Sequence, residues 1–282
     1  MTRVRLEEPK KEKVFIMLDS GAFSAFTKKT EINLNDYIKY IKDNLQYIDT
    51  YVNLDVIPGE KDKKRTADDA EAGARASYQN LQKMKKAGLS PIPVFHRGER
   101  WFWLERMLQD REPYIGLSPA TNLCGASEAR RWLDTCFTYL TDHKGKPLVK
   151  THGFAMSSFP LMARYPWTTC DATSWAQTAA YGSILIPKFK NGKPNYKEAP
   201  LKHTISATDR DKGTPSDHFL LMGPSVRAMI SNWLENEVGV TVLDCAHDYE
   251  ARARAIVYFM KKFEEHAGVD VFRHRLKLSH GS

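Results

Sequence analysis

Six times between residues 14 and 181, a short apolar run ends in a polar residue and gives way to a stretch of helical periodicity. The runs are 14–18 before Asp19, 51–54 before Asp55, 91–95 before His96, 114–117 before Ser118, 147–151 before His152 and 167–170 before Asp171. Short runs of this kind, rich in β-branched and aromatic residues, read as strands. The first, VFIML, reads as a strand buried on both faces. Regular strand–helix alternation predicts a parallel sheet, either a (β/α)8 barrel or a doubly wound sheet. An open sheet focuses only the strand ends at its switch point, whereas a barrel brings every strand C-terminus to one rim. Six polar strand ends therefore favour an α/β fold of the TIM-barrel type. Asp19 then stands where a catalytic acid or base would stand; the alternative is that it caps a turn or the next helix.

The helices are expected at 34–45, with Asn33 or Asn35 as cap, at 66–87 ended by Gly88, at 99–110, through Tyr139 with Ser127 as cap, at 156–164 and at 174–181. Beyond 181 the alternation breaks. Residues 183–187 read as a strand with no helix after it, and 188–198 as a hairpin turned at Asn191-Gly192. Residues 203–218 read as a polar insertion, 224–238 as a helix, 240–243 as a last strand ending in Asp244, and 250–266 as an amphipathic helix. The whole chain, 1–282, is expected to be a single domain, with a charged lead-in at 1–13 and the hairpin and insertion at 188–223.

Composition narrows the partners. The formal charge is +8, which favours a polyanion, most simply nucleic acid. Lys63, Lys64 and Arg65 follow the Asp55 strand, Arg97 follows His96, and Lys188 and Lys190 follow the 183–187 strand, so these are the candidate phosphate contacts. Trp101, Trp103 and Trp175 are candidates to stack on a base or wedge beside it. No run of eighteen apolar residues exists, which argues against a membrane span and for a cytoplasmic protein. Cys124, Cys136, Cys170 and Cys245 are scattered without CxxC spacing, which argues against a disulfide framework or a local zinc site.

Asp19 and Asp171 form the first chemical constellation. Displacement at an anomeric carbon commonly uses two carboxyl groups, one as nucleophile and one handling protons. The motifs around them carry a resemblance. DSGAF at 19–23 resembles the DSGGF or DSGGY motif of the tRNA-guanine transglycosylase superfamily. NLDVIPG around Asp55, YIGLSP at 114–119, HGF at 152–154, CDATSW at 170–175 and KNGKPNY at 190–196 resemble its further motifs in the same order. The likeness is nearest to the compact phage-type branch that inserts 7-deazaguanine into DNA.

That resemblance implies a base exchange in which Asp171 attacks the anomeric carbon and Asp19 is the general acid/base. It implies that Asp55 reads the guanine-like edge and that Phe23 stacks on the base. Gly116 and Leu117 would offer backbone groups to the heterocycle, and Ser20, His152 and Gly153 would complete the pocket. His96 lies where the family often has a glutamine. The tRNA enzymes carry a C-x-C-x2-C zinc motif that this chain lacks, so no metal or other cofactor is expected, and DNA is favoured over tRNA. The rival readings are a tRNA enzyme, a nucleoside or glycoside hydrolase in which water replaces the incoming base, and a non-catalytic nucleic-acid-binding barrel.

Overall fold

The computed structural model describes residues 15–57, 59, 66–119, 125–207 and 217–266. Lys63, Lys64, Arg65, Cys124, the lead-in at 1–13 and the basic tail lie outside the described residues. The fold is mixed α/β with parallel strand pairing, and the chain divides into two compact units. The first comprises residues 1–142 and 147–154; the second comprises 143–146 and 155–282. No described helix is long and apolar enough to cross a membrane.

The first unit is built from β1 (Met17–Leu18), α1 (Ala22–Lys28), α2 (Leu34–Asn44), β2 (Thr50–Tyr51), α3 (Ala67–Lys86), β3 (Val94–His96), α4 (Trp101–Gln109), β4 (Tyr114–Ser118), α5 (Ala126–Leu140) and β5 (Lys150–Gly153). β1 pairs with β2, β3 with β4 and β4 with β5, all parallel. A parallel bridge between Val52 and Ile92 joins the β2 and β3 segments. Asn53 N–H donates to Ile92 O at 2.8 Å and Ile92 N–H to Tyr51 O at 2.9 Å. Spatial order therefore follows chain order through all five strands, without reversal.

Local chemistry explains the helix ends. Asn33 caps α2 by accepting from Asn35 and Asp36 N–H. Thr66 and Asp69 form a reciprocal capping box at the start of α3, satisfying donors that the helix itself leaves open. Gly88, at φ +82°, turns the chain out of α3. Ser127 is not a cap: α5 begins at Ala126 after Gly125, with no side-chain cap bond. The first strand is also less enclosed than its composition suggests. Met17 and Leu18 are half-buried and Phe15 is 59% exposed. The apolar run outlasts its pairing, since Ile16 O accepts from Asp49 and Thr50 and Phe15 lies beyond that ladder.

The second unit holds α6 (Phe159–Arg164), β6 (Thr169–Cys170), α7 (Ser174–Ala180), β7 (Ser183–Ile186), β8 (Lys188–Lys190), β9 (Lys193–Asn195), β10 (Leu201–Thr204), α8 (Pro224–Trp233), α9 (Val242–His247) and α10 (Tyr249–His266). A π-turn, Leu234–Val238, continues α8. The core packs Ile184, Ile186, Trp233, Leu234, Ala255 and Phe259 together. Arg252 of α10 is 1% exposed; its Nε–H donates to Ala179 O of α7 at 2.7 Å and Nη1 to Cys245 O of α9 at 3.0 Å.

Three expectations are corrected here. Residues 240–243 are not a strand: Thr241 and Asp244 form a capping box, so Asp244 opens α9 instead of ending a strand. Residues 201–204, inside the stretch spanning the hairpin and insertion, form β10, antiparallel to β7. The sixth helix is shorter than expected, because Met156 N–H donates to Asp171 O instead of entering a helix.

Candidate active site

At the carboxyl end of β1 the chain turns sharply. Gly21, at φ +74°, sits in the left-handed region that favours glycine and lets α1 start at once. Asp19 is exposed, Ser20 is buried, and Phe23 on the first turn of α1 is 57% exposed. Asp19 does not cap α1; Gly21 holds that position. Ser20 Oγ accepts from Ala22 N–H and donates to Asp55 Oδ1, both at 3.3 Å.

Asp55, just past β2, is 8% exposed. Its Oδ2 lies 2.7 Å from Nε2 of His96, the buried last residue of β3, whose N–H donates to the carboxylate. Adjacent parallel strands thus bring together Ser20, Asp55 and His96 from three strand ends. Tyr37 of α2 lies beneath, its hydroxyl donating to Val52 O at 2.8 Å. Burial pushes the Tyr37 phenol well above its ordinary range, and the charges of Asp19 and Asp55 push it further. Both carboxylates therefore act on one small region.

Glu99 belongs to the same region, although the sequence reads it only as the start of the 99–110 helix. Gly98, at φ +104°, folds the chain back, and Glu99 N–H donates to His96 O at 3.2 Å. The side chain is buried. Burial raises its carboxyl pKa to about 7, with the charges of Asp55 and Glu71 adding and His96 opposing. Gly98, two residues after the strand-end histidine, was the one available sign of this inward turn.

Gly116 and Leu117 on β4 use their backbone groups within the sheet. Gly116 N–H donates to Pro93 O at 2.8 Å, and Leu117 O accepts from Phe154 N–H at 3.0 Å. What Gly116 supplies is room. A Cβ there would lie 2.5 Å from Cε2 of the Phe154 ring. That ring packs edge-on against buried His152, at 4.4 Å between centroids, while Gly153 pairs with Leu117. Gly116→Ala is expected to displace Phe154 at a cost of about 1–3 kcal/mol. Thermal unfolding checks it, and adding Phe154→Leu should recover part of the loss, since the two residues touch. Additive losses would mean that the ring does not share the Gly116 space.

In the second unit, Asp171 follows β6 and is exposed. Its Oδ1 accepts from Ala155 N–H at 3.0 Å and its carbonyl from Met156 N–H at 2.7 Å. Ala155 is held at φ +50°, a conformation uncommon for a residue with a Cβ and of the sort that clusters at functional sites. The turn that aims the carboxylate is thus a strained one.

The candidate phosphate contacts differ among themselves. Arg97 donates through Nε to Pro119 O at 3.1 Å and through Nη1 to Glu128 at 2.6 Å, which ties its guanidinium into the protein. Lys188 pairs with Glu198 at 2.9 Å. The Asn191-Gly192 turn forms as expected, with both residues at positive φ. Lys190 stands directly opposite Lys193, and Phe189 packs against the core. Trp103 is core, its indole N–H donating to Glu71 Oε2. Trp101 stacks on Tyr139. No group of three potential metal ligands occurs among the described residues. Comparison with family models, curated proteins and solved structures finds no match to this chain.

Proposed function

We propose that this protein is a base-exchange glycosyltransferase that replaces guanine in DNA with a 7-deazaguanine on a (β/α)8-type barrel, working in the cytoplasm. The observation that carries the reading is the buried Ser20–Asp55–His96 cluster, assembled at the carboxyl ends of parallel strands beside exposed Asp19 and Phe23. Chemistry in parallel α/β folds collects at such ends. The unreversed strand order of the first unit supports a barrel over a doubly wound sheet, whose order reverses at a switch point.

In this reading Asp171 attacks the anomeric carbon as the bond to guanine N9 breaks, and the electron pair leaves on N9. Protonated Asp19 supplies the proton that leaving guanine takes up. Asp19, now a carboxylate, takes the N9 proton of the incoming 7-deazaguanine. That nitrogen attacks the sugar, the ester to Asp171 breaks, and both carboxyl groups return to their starting states. Asp55, hydrogen-bonded to Ser20 and His96, is held in one orientation suited to reading a base edge. Exposed Phe23 offers a face for stacking. The base must leave the duplex stack to be attacked.

The test is an exchange assay with guanine-labelled DNA and tRNA side by side, with and without a 7-deazaguanine. Repeated turnover of guanine release from DNA only when the deazaguanine is present, with at most one equivalent per protein without it, is the expected result. Abasic sites formed without it would make the protein a hydrolase, exchange confined to tRNA would make it a tRNA enzyme, and salt-sensitive binding without release would make it a binding protein.

The β8–β9 hairpin gives a second prediction. Like charges directly opposite across a hairpin destabilise it, and a polyanion offsets that cost at Lys190 and Lys193. Lys190→Glu with Lys193→Glu should lower the slope of log affinity against log salt by about 1.8 and weaken duplex binding about 50-fold at 0.1 M salt. Lys190→Glu alone, facing Lys193, should leave the protein at least as stable. Fluorescence anisotropy over a salt series and thermal unfolding measure these. An unchanged salt slope would remove the hairpin from the interface.

A further inference from the structure

The first unit holds a narrow cavity of about 10 Å³, lined among others by Asn53, Ser77, Tyr78, Val94, Glu99 and Trp103. Two buried oxygens on residues lining it, Asn53 Oδ1 and Glu99 Oε1, have no hydrogen-bond donor among the described residues. Asn53 is 1% and Glu99 is 7% exposed, so bulk water does not serve them. The Asn53 orientation is fixed by its Nδ2, which donates to Ser77 O at 3.0 Å. The neighbouring polar groups are already engaged. Trp103 Nε1 donates to Glu71, and Tyr78 Oη donates to Asp110 and accepts from Arg106 Nε. A buried acceptor left without a donor costs about 1–3 kcal/mol, and a cavity of this size has room for about one water molecule.

We propose that this cavity binds one ordered water, which donates one proton to Asn53 Oδ1 and the other to Glu99 Oε1, and that Glu99 acts from there as the positioning residue that sets the charge on the Asp55–His96 pair. One water has two protons to give, and two residues that line the cavity carry an oxygen without a donor. The charged and titratable groups acting on Glu99 are Asp55 and His96 at the strand ends and Glu71 on α3. His96 is thus influenced by two carboxyl groups, Asp55 at 2.7 Å from Nε2 and Glu99 three residues further along the chain. Each carboxylate favours the imidazolium and opposes ionisation of the other. Gain or loss of one proton at Glu99 therefore changes the charge that faces the Asp55–His96 pair.

The test is a nitrogen-15 NMR titration of His96 in the full chain without substrate, comparing the wild type with Glu99→Gln. Removing one carboxyl group should lower the apparent His96 pKa by about one unit; an unmoved titration overturns the positioning role. Should Glu99→Gln fail to fold, Glu99→Asp, which draws the carboxyl back, should give a smaller shift in the same direction, and no shift is the same refutation. A high-resolution crystal structure should show a water within hydrogen-bonding distance of both oxygens, and a dry cavity overturns the water site. Neither measurement uses DNA or a base, so their failure is distinguishable from failure of the base-exchange reading.

Discussion

Asp171→Ala should abolish base release and any covalent adduct with DNA, with a loss of about 10⁴-fold or more in exchange rate, as for other covalent nucleophiles. The size follows from the role, because no other group would form the glycosyl ester. Asp171→Asn is the sharper variant. It keeps an oxygen to accept from Ala155 N–H, so the turn and the fold should survive. An amide oxygen is nonetheless a poor nucleophile at carbon, so exchange should still be lost. Asp19→Asn should cost about 10² to 10⁴-fold, the usual range for a general acid or base. The measurements are guanine release and adduct retention on a denaturing gel. Near-normal exchange by Asp171→Ala would remove it as nucleophile.

The largest expected effect on stability comes from Glu99 and depends on pH. Its ordinary carboxyl pKa of 4.5 applies to the unfolded chain, and burial raises the folded value to about 7. Below pH 4.5 both states hold the proton, so its contribution is fully present. Between 4.5 and 7 the folded state keeps a proton that the unfolded state releases, so stability falls as pH rises. At about 1.4 kcal/mol per unit, the loss across the window is about 3 kcal/mol. Above pH 7 both states are ionised and the loss is complete. Glu99→Gln has no carboxyl to ionise. It should therefore be more stable than the wild type at pH 8, by up to about 3 kcal/mol relative to their difference at pH 4. Urea unfolding at the two pH values reads this directly. A difference that does not change with pH would mean that Glu99 ionises as freely in the folded protein as in the unfolded one.

Much of the fold was legible because its signals are local. Asn33, Thr66, Gly88 and the Asn191-Gly192 turn each act within a few residues, and each appears where its chemistry puts it. The meeting of Asp55 and His96, 41 residues apart, was legible in outline, since neighbouring parallel strands present their carboxyl ends together. The misreadings came where two local preferences compete or where a partner is remote. Residues 240–243 have strand-like composition, but Thr241 and Asp244 satisfy each other's backbone and side chain and start a helix. β10 looks polar because only its pairing with β7 makes it a strand. The Arg97–Glu128 ion pair, 31 residues apart in the chain, left no local sign in the sequence. The burial of Glu99 depends on the turn at Gly98, which a helical pattern starting at Glu99 conceals.

The buried Arg252 has a consequence for how Asp171 is mounted. At seven residues, α7 is too short to hold its shape alone. Its last turn nonetheless provides Ala179 O to a guanidinium with almost no access to water. Unwinding the last turn of α7 would strip that charge of one buried acceptor, at a cost of about 1–3 kcal/mol. Ser174, where α7 begins, lies three residues after Asp171. The carboxylate is thus at the surface, yet the helix that follows it is tied at its far end to a buried guanidinium of the second unit's core. In the proposed exchange, where Asp171 forms and then releases a bond to the same carbon, such a mount keeps the carboxylate in place between the two events.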